Sequence, residues 1–207
     1  MKPYYQDSAV TIYLGDCREI VPTLGRFDLL LTDPPFGISF AAQPTKWQRQ
    51  AGQQPETWDD ERPSAELIAV LRSYADTQVI WGGNYFAHLL PPSRGWFAWC
   101  KADAPPSMGN LELAWTNADQ NAKHFDWSIS ATNGERVGHP TQKPLALMSW
   151  CLSFFPDAQT VLDPFAGSGT TGRACKDLGR KCVLIEREER YAEICARRMG
   201  QEVLALT

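Results

Sequence analysis

Short apolar runs recur along the chain at 10–14, 29–31, 79–81, 161–162 and 182–185, each rich in branched residues and bounded by Gly, Pro or Asp. Runs of this length without polar alternation predict strands buried on both faces, as in a parallel sheet. Between them the apolar spacing turns helical. Ser64 predicts the N-cap of a helix reaching about Tyr74, with Glu66 in its first turn and Leu67, Ile68, Val70 and Leu71 as its apolar face. After Pro144 a strongly apolar helix carries Leu145, Leu147, Met148, Trp150, Cys151, Leu152 and Phe155, and 188–199 reads as a more amphipathic one. Strands alternating with helices predict a doubly wound α/β fold around a mostly parallel sheet.

Two stretches break this pattern. Residues 41–63 are rich in Gln, Pro and charge and predict a long mobile loop, placed to gate a site formed just before it. Residues 95–127 contain two strand-like pieces, Trp96–Cys100 and Leu111–Thr116, joined by the turn-forming stretch 104–110. These predict an antiparallel edge to the sheet.

At 207 residues and 43% hydrophobic, the chain suits one domain spanning 1–207. No apolar run approaches the roughly 20 residues of a membrane span, and the first residues have no signal-like apolar core, so a cytoplasmic location is expected. Six cysteines include no C-x-x-C pair and fall largely at apolar positions, which predicts buried thiols and no metal site. A net charge of −4 and a pI near 5.4 argue against a broadly basic nucleic-acid binder. A local basic strip is still available from Lys46, Arg49, Lys101, Lys123, Arg136 and Lys143, and Trp47 and Trp58 could stack on bases.

Two segments carry candidate chemistry. In the second, the strand at 160–163 ends in Asp163, and Pro164, Phe165, Ala166, Gly167, Ser168, Gly169 and Thr170 then open a helix. Gly167 and Gly169 permit positive φ and close backbone approach to a ligand. A P-loop would need Lys after the last glycine, where Thr170 stands, so a nucleoside triphosphate is disfavoured. The spacing of Gly167, Gly169 and Gly172 also matches a dinucleotide turn, which alone is weak evidence. Glu186 closes the next strand, where an acid can accept hydrogen bonds from both hydroxyls of a ribose. In the first segment Asp33, Pro34, Pro35 and Phe36 follow the strand at 28–32. The Asp33 carboxylate and the Pro34 carbonyl can accept both hydrogens of an amino group while Phe36 stacks on the attached ring.

The pair resembles the amino-methyltransferases of DNA, which combine Asp-Pro-Pro-Tyr/Phe with Phe-x-Gly-x-Gly. Three further stretches are similar to that family: Gly15-Asp16-Cys17, His139-Pro140-Thr141-Gln142-Lys143-Pro144, and Trp81-Gly82-Gly83-Asn84-Tyr85-Phe86, the last found in phage-type members. The amine segment precedes the cofactor segment, as in the permuted beta class. The resemblance implies S-adenosylmethionine as cofactor. It places Asp16 and Cys17 at the adenine and His139 and Thr141 at the methionine end, with Asp33, Asp163, Phe165, Ala166, Gly167, Ser168, Gly169, Thr170 and Glu186 completing the cofactor contacts. Asp33, Pro34, Pro35 and Phe36 become the catalytic segment. Double-stranded DNA is the implied partner, with the target base extruded, and a homodimer is an implied assembly.

Because cytosine-directed relatives usually carry Ser at the position of Asp33, the implied product is N6-methyladenine. Cytosine-N4 methylation and a catalytically silent DNA- or cofactor-binding regulator are the alternatives. Two features depart from the family. Phe36 replaces the commoner Tyr, and 101–138 is a short substitute for a target-recognition region.

Overall fold

The computed structural model describes residues 1–38, 59–106 and 108–201. Nine strands among them form one sheet: β1 Tyr5–Gln6, β2 Val10–Leu14, β3 Phe27–Thr32, β4 Ala75–Trp81, β5 Trp96–Cys100, β6 Leu111–Thr116, β7 Lys123–Asp126, β8 Thr160–Asp163 and β9 Lys181–Glu186. Their spatial order is β1-β2-β9-β8-β3-β4-β6-β5-β7. The five central strands from β2 to β4 are parallel, and β6 runs antiparallel to both of its neighbours. This is the doubly wound sheet with an antiparallel edge that the apolar runs predict.

The helices are α1 Cys17–Ile20, α2 Ala65–Ser73, α3 Ile129–Gly134, α4 Leu145–Ser153, α5 Thr170–Asp177 and α6 Glu189–Met199. Side-chain alternation along the strands sorts them onto two faces. Leu29, Leu31, Val161 and Leu184 point into one core, which α4, α5 and α6 cover with Leu147, Met148, Cys151, Leu152, Ala174, Cys175, Cys195 and Met199. Leu30, Leu162 and Ile185 point into the other, against Cys17 and Ile20 of α1 and Ile68 and Leu71 of α2. All six cysteines are free thiols, five of them buried.

Local differences from the sequence reading have local causes. From sequence Asp16 could cap a helix over 17–24; the helix stops at Ile20 and continues as a 3₁₀ turn over Val21–Thr23, because Pro22 has no N–H to donate. β4 begins at Ala75, through a polar stretch whose Gln78 is buried and donates to the carbonyls of Arg72 and Ala75. β1 and β7 were not anticipated: both are short edge strands with mostly exposed side chains. The stretch 101–138 is largely built into this edge, supplying β6, β7 and α3, whose start is held by the Asp103 carboxylate accepting from Ile129 N at 2.5 Å and Ser130 N at 2.9 Å.

From β8 the chain crosses through α5 to β9 on one side, whereas from β3 it crosses through α2 to β4 on the other. The reversal opens a crevice above the carboxyl ends of β8 and β3, where ligands of such sheets bind. Two side-chain ties close the seam. Asp28 accepts from Gln159 N and Thr160 N at 2.9 and 2.8 Å at one end, and Thr32 Oγ1 donates to Asp163 Oδ1 at 2.8 Å at the other.

Candidate active site

The parallel strands deliver acids to one rim: Asp16 after β2, Asp33 after β3, Asp163 at the end of β8 and Glu186 at the end of β9. They line a crevice of about 830 Å³ together with Cys17, Pro34, Pro35, Phe36, His139, Thr141, Phe165, Ala166, Gly167, Ser168 and Thr170. Of the residues expected at the site from sequence, only Gly169 lies outside this lining. It adopts φ +76°, and a Cβ there would lie 2.4 Å from Cys195 Sγ, so Gly169 lets α5 approach α6.

On the β8–β9 side, the Glu186 carboxylate accepts from Gly167 N at 2.7 Å and Glu188 N at 2.8 Å. Burial pushes it up to about 7 despite these bonds. Gly167 turns at φ +52° beneath His139, whose Nε2 would be 3.2 Å from an added Cβ. The His139 ring packs 4.3 Å from that of Tyr191, and its Nδ1 accepts from Thr141 N at 3.3 Å. Asp163 is buried, its Oδ1 accepting from Thr32 and from Phe165 N at 3.1 Å, and it shapes the turn from within. Asp16 caps α1 through Arg18 N at 2.8 Å and pairs with the Arg18 side chain, while still facing the crevice.

Two supports of this turn were not singled out from sequence. The Gln142 carboxamide oxygen accepts from Ser168 Oγ at 3.2 Å and Val137 N at 3.1 Å, tying the 139–144 segment to the glycine turn. Arg198 of α6, buried, donates to Thr170 Oγ1 at 3.0 Å.

On the β3–β4 side, Phe36 stacks on Tyr85 with centroids 4.9 Å apart and planes 15° from parallel, and meets Phe86 edge-on at 6.5 Å. Its backbone is held twice. Asp59 Oδ1 accepts from Phe36 N at 2.9 Å and Gly37 N at 3.2 Å, and Arg62 Nε donates to Phe36 O at 2.7 Å. Lys143 Nζ donates to Asp33 Oδ2 at 2.5 Å and lies 3.0 Å from Glu112 Oε2, while Glu112 Oε1 pairs with Lys101. Asp33 Oδ1 is buried without a hydrogen-bond partner among the described residues. Burial pushes Asp33 up to about 6, with Lys143 pulling the other way and Glu112 and Asp163 adding to the rise.

This network corrects one expectation. Lys101 and Lys143 are 7% and 6% exposed and committed to carboxylates, so neither belongs to a basic strip for DNA. Lys123 and Arg136 are exposed, whereas Lys46, Arg49, Trp47, Trp58 and most of the 41–63 loop lie outside the described residues.

The crevice fits an adenosyl cofactor beside a base. A partly buried carboxylate ends β9, a side-chain-free Gly167 sits beneath His139, and an unpartnered acceptor faces from β3 beside a stacked aromatic ring. The volume lies within the range of ligand pockets.

Comparison with known proteins agrees. Residues 94–197 match the N6_N4_Mtase family model, described as DNA methylase. The Type II methyltransferase M.HinfI of Haemophilus influenzae is 27% identical over 258 aligned positions, covering 97% of this chain and 71% of its own. M2.MboI of Moraxella bovis is also 27% identical, over 96% of this chain and 91% of its own. Among solved structures, M1.HpyAVI in its SAM complex is 25% identical with a TM-score of 0.63, over 93% of this chain and all of that one. The PvuII cytosine-N4-specific DNA methyltransferase shares the fold at 16% identity and a TM-score of 0.66, over 99% and 91% of the two chains. No helix among the described residues is long and apolar enough to cross a membrane. With half of its length matched by the family model and this crevice at its switch point, the chain belongs to the N6/N4 DNA methylase family of S-adenosylmethionine-dependent DNA methyltransferases.

Proposed function

We propose that the protein methylates the exocyclic N6 amine of adenine in double-stranded DNA, as a member of the permuted beta class. The observation that carries this reading is the buried, unpartnered Asp33 Oδ1 beside the stacked ring of Phe36, in the same crevice as Glu186 and Gly167. S-adenosylmethionine, when bound, supplies an electrophilic methyl group on a sulfonium centre. The chain's own residues do the rest. Glu186 accepts from the ribose hydroxyls, Asp16 and Cys17 face the adenine, and His139, Thr141 and the 165–170 turn hold the methionine end.

A base extruded from the duplex packs on Phe36, with Tyr85 supporting the ring from behind. Asp33 Oδ1 and the Pro34 carbonyl accept the two amine hydrogens, which turns the nitrogen lone pair toward the methyl carbon. With the methyl group delivered to the nitrogen, Asp33 would stabilise the positive charge there until one amine proton passes to solvent. Adenine is favoured over cytosine because an acid stands at 33.

The test is methylation of DNA followed by digestion and mass analysis of the nucleosides, with RNA in parallel. N6-methyladenine in duplex DNA, lost in Asp33→Asn with S-adenosylmethionine binding retained, is expected. N4-methylcytosine would move the assignment to the other base. Cofactor binding without any methylated nucleoside would make the protein a silent relative.

A further inference from the structure

Lys143 is a buried ammonium committed to two carboxylates. Asp33 Oδ2 lies at 2.5 Å and Glu112 Oε2 at 3.0 Å, and the rings of Phe36 and Trp81 flank its charge with centroids 5.4 and 6.0 Å away. Burying such a group costs several kcal/mol of lost hydration, and well-packed apolar residues often give a protein equal stability in place of a buried ion cluster. At 6% exposure Lys143 cannot reach a phosphate. What it does touch is the carboxylate assigned to the target amine.

We infer that Lys143, braced by Glu112, is a positioning residue for Asp33: it holds the carboxylate ionised, fixes Oδ2, and leaves Oδ1 to accept from the amine. The inference rests on the methyl-transfer reading above and adds to it a residue whose effect passes entirely through Asp33.

The charges around Asp33 show why a cation is needed. Glu112 faces it from β6 and Asp163 from the end of β8, and both favour a neutral Asp33, whereas Lys143 opposes them; Lys101, just after β5, faces Glu112. Without Lys143, a carboxyl already hard to ionise would keep its proton at neutral pH. It would then present an O–H donor where the target amine presents N–H donors. A lysine suits the place because its compact head can donate to two carboxylates at once while the aromatic faces shield the remaining charge.

The experiment is single-turnover transfer of a tritiated methyl group to duplex DNA, at saturating cofactor and DNA, across the neutral pH range. The wild type should lose rate as pH falls through about 6, where Asp33 takes up its proton. Lys143→Met should slow transfer about 100-fold at neutral pH and carry the acid limb roughly 1–3 pH units upward, with activity recovering in alkali. Glu112→Gln, which removes an acid but keeps Lys143, should carry the limb downward. Lys143→Arg, which keeps the charge, should leave the limb near its wild-type position.

Because transfer is read at saturating cofactor, any change in S-adenosylmethionine affinity, followed by calorimetry, is separated from the position of the limb. Slowed transfer with an unmoved limb in both Lys143→Met and Glu112→Gln would reduce the network to a structural role and overturn the inference. If Lys143→Met does not fold, an upward or absent shift in Glu112→Gln overturns it equally. A wild type that makes no methylated nucleoside would instead sink the underlying methyl-transfer reading.

Discussion

Gly82 and Phe36 share one space: a Cβ built on Gly82 would lie 2.1 Å from Phe36 Cε1, and Gly82 itself sits at φ +70°. The glycine after β4 is therefore the bed on which the Phe36 ring lies. Gly82→Ala should displace Phe36 from its stack on Tyr85 and lower single-turnover methyl transfer about 100-fold. Cofactor affinity, proposed to be set on the far side of the crevice, should change little; calorimetry and a transfer assay on one preparation would separate the two.

The role proposed for Glu186 would make cofactor binding depend on pH. Burial holds this carboxyl at about 7, and sugar hydroxyls donate to its ionised form. The sign follows: S-adenosylmethionine affinity should be level above pH 7 and fall by up to about tenfold per pH unit below it. Glu186→Gln should cost more affinity at pH 8 than at pH 6, because the wild type is already largely protonated at the lower value. Titration calorimetry at the two pH values checks this.

Gly169 is a packing requirement between two helices. In Gly169→Ala the new methyl meets Cys195 Sγ at 2.4 Å on a backbone at φ +76°. Strain and overpacking together should cost about 2–4 kcal/mol of stability. Adding Cys195→Gly should recover the steric part and leave the backbone part. Denaturant melts of the single and double variants measure the difference.

Acid should unfasten the N-terminal strands before the core. Asp7 is partly buried and is held down to about 2 against that burial by Lys176 at 2.5 Å, by the N–H groups of Val10 and Ala9 and by the Tyr5 hydroxyl. A depressed carboxylate contributes stability above its unfolded value that is lost as pH falls from about 4 toward 2. Asp7→Asn should therefore be about 2 kcal/mol less stable than wild type at pH 6, and the gap should close below pH 3. Urea melts at both pH values test this.

The parts of this molecule legible in its sequence are those whose environment is uniform. β2, β3, β8 and β9 are buried on one face and largely on the other, so they appear as short apolar runs, and the acids that end β8 and β9 or follow β2 and β3 mark the crevice rim. The edge strands β1 and β7 carry no such mark because each packs only one side chain, Tyr5 or Phe125, against the core and exposes the rest. The first half of β4 was hidden because Gln78 satisfies its polar atoms inside the protein.

The site divides in the same way. The residues proposed to face the ligands lie in short segments at the strand ends and at 139–141, whereas the contacts that brace them are made across the fold. Lys143 meets Asp33 across 110 residues of chain, and Arg198 reaches Thr170 across 28. A lysine just before an apolar helix reads as a solvated charge until the tertiary fold closes over it.

Asp59 and Arg62 clasp the backbone of Phe36 and Gly37 from 22 to 26 residues further along the chain. The aromatic floor is therefore anchored twice, by its own strand and by this distant pair, and a change at either residue of the pair would loosen the Phe36 ring without touching it.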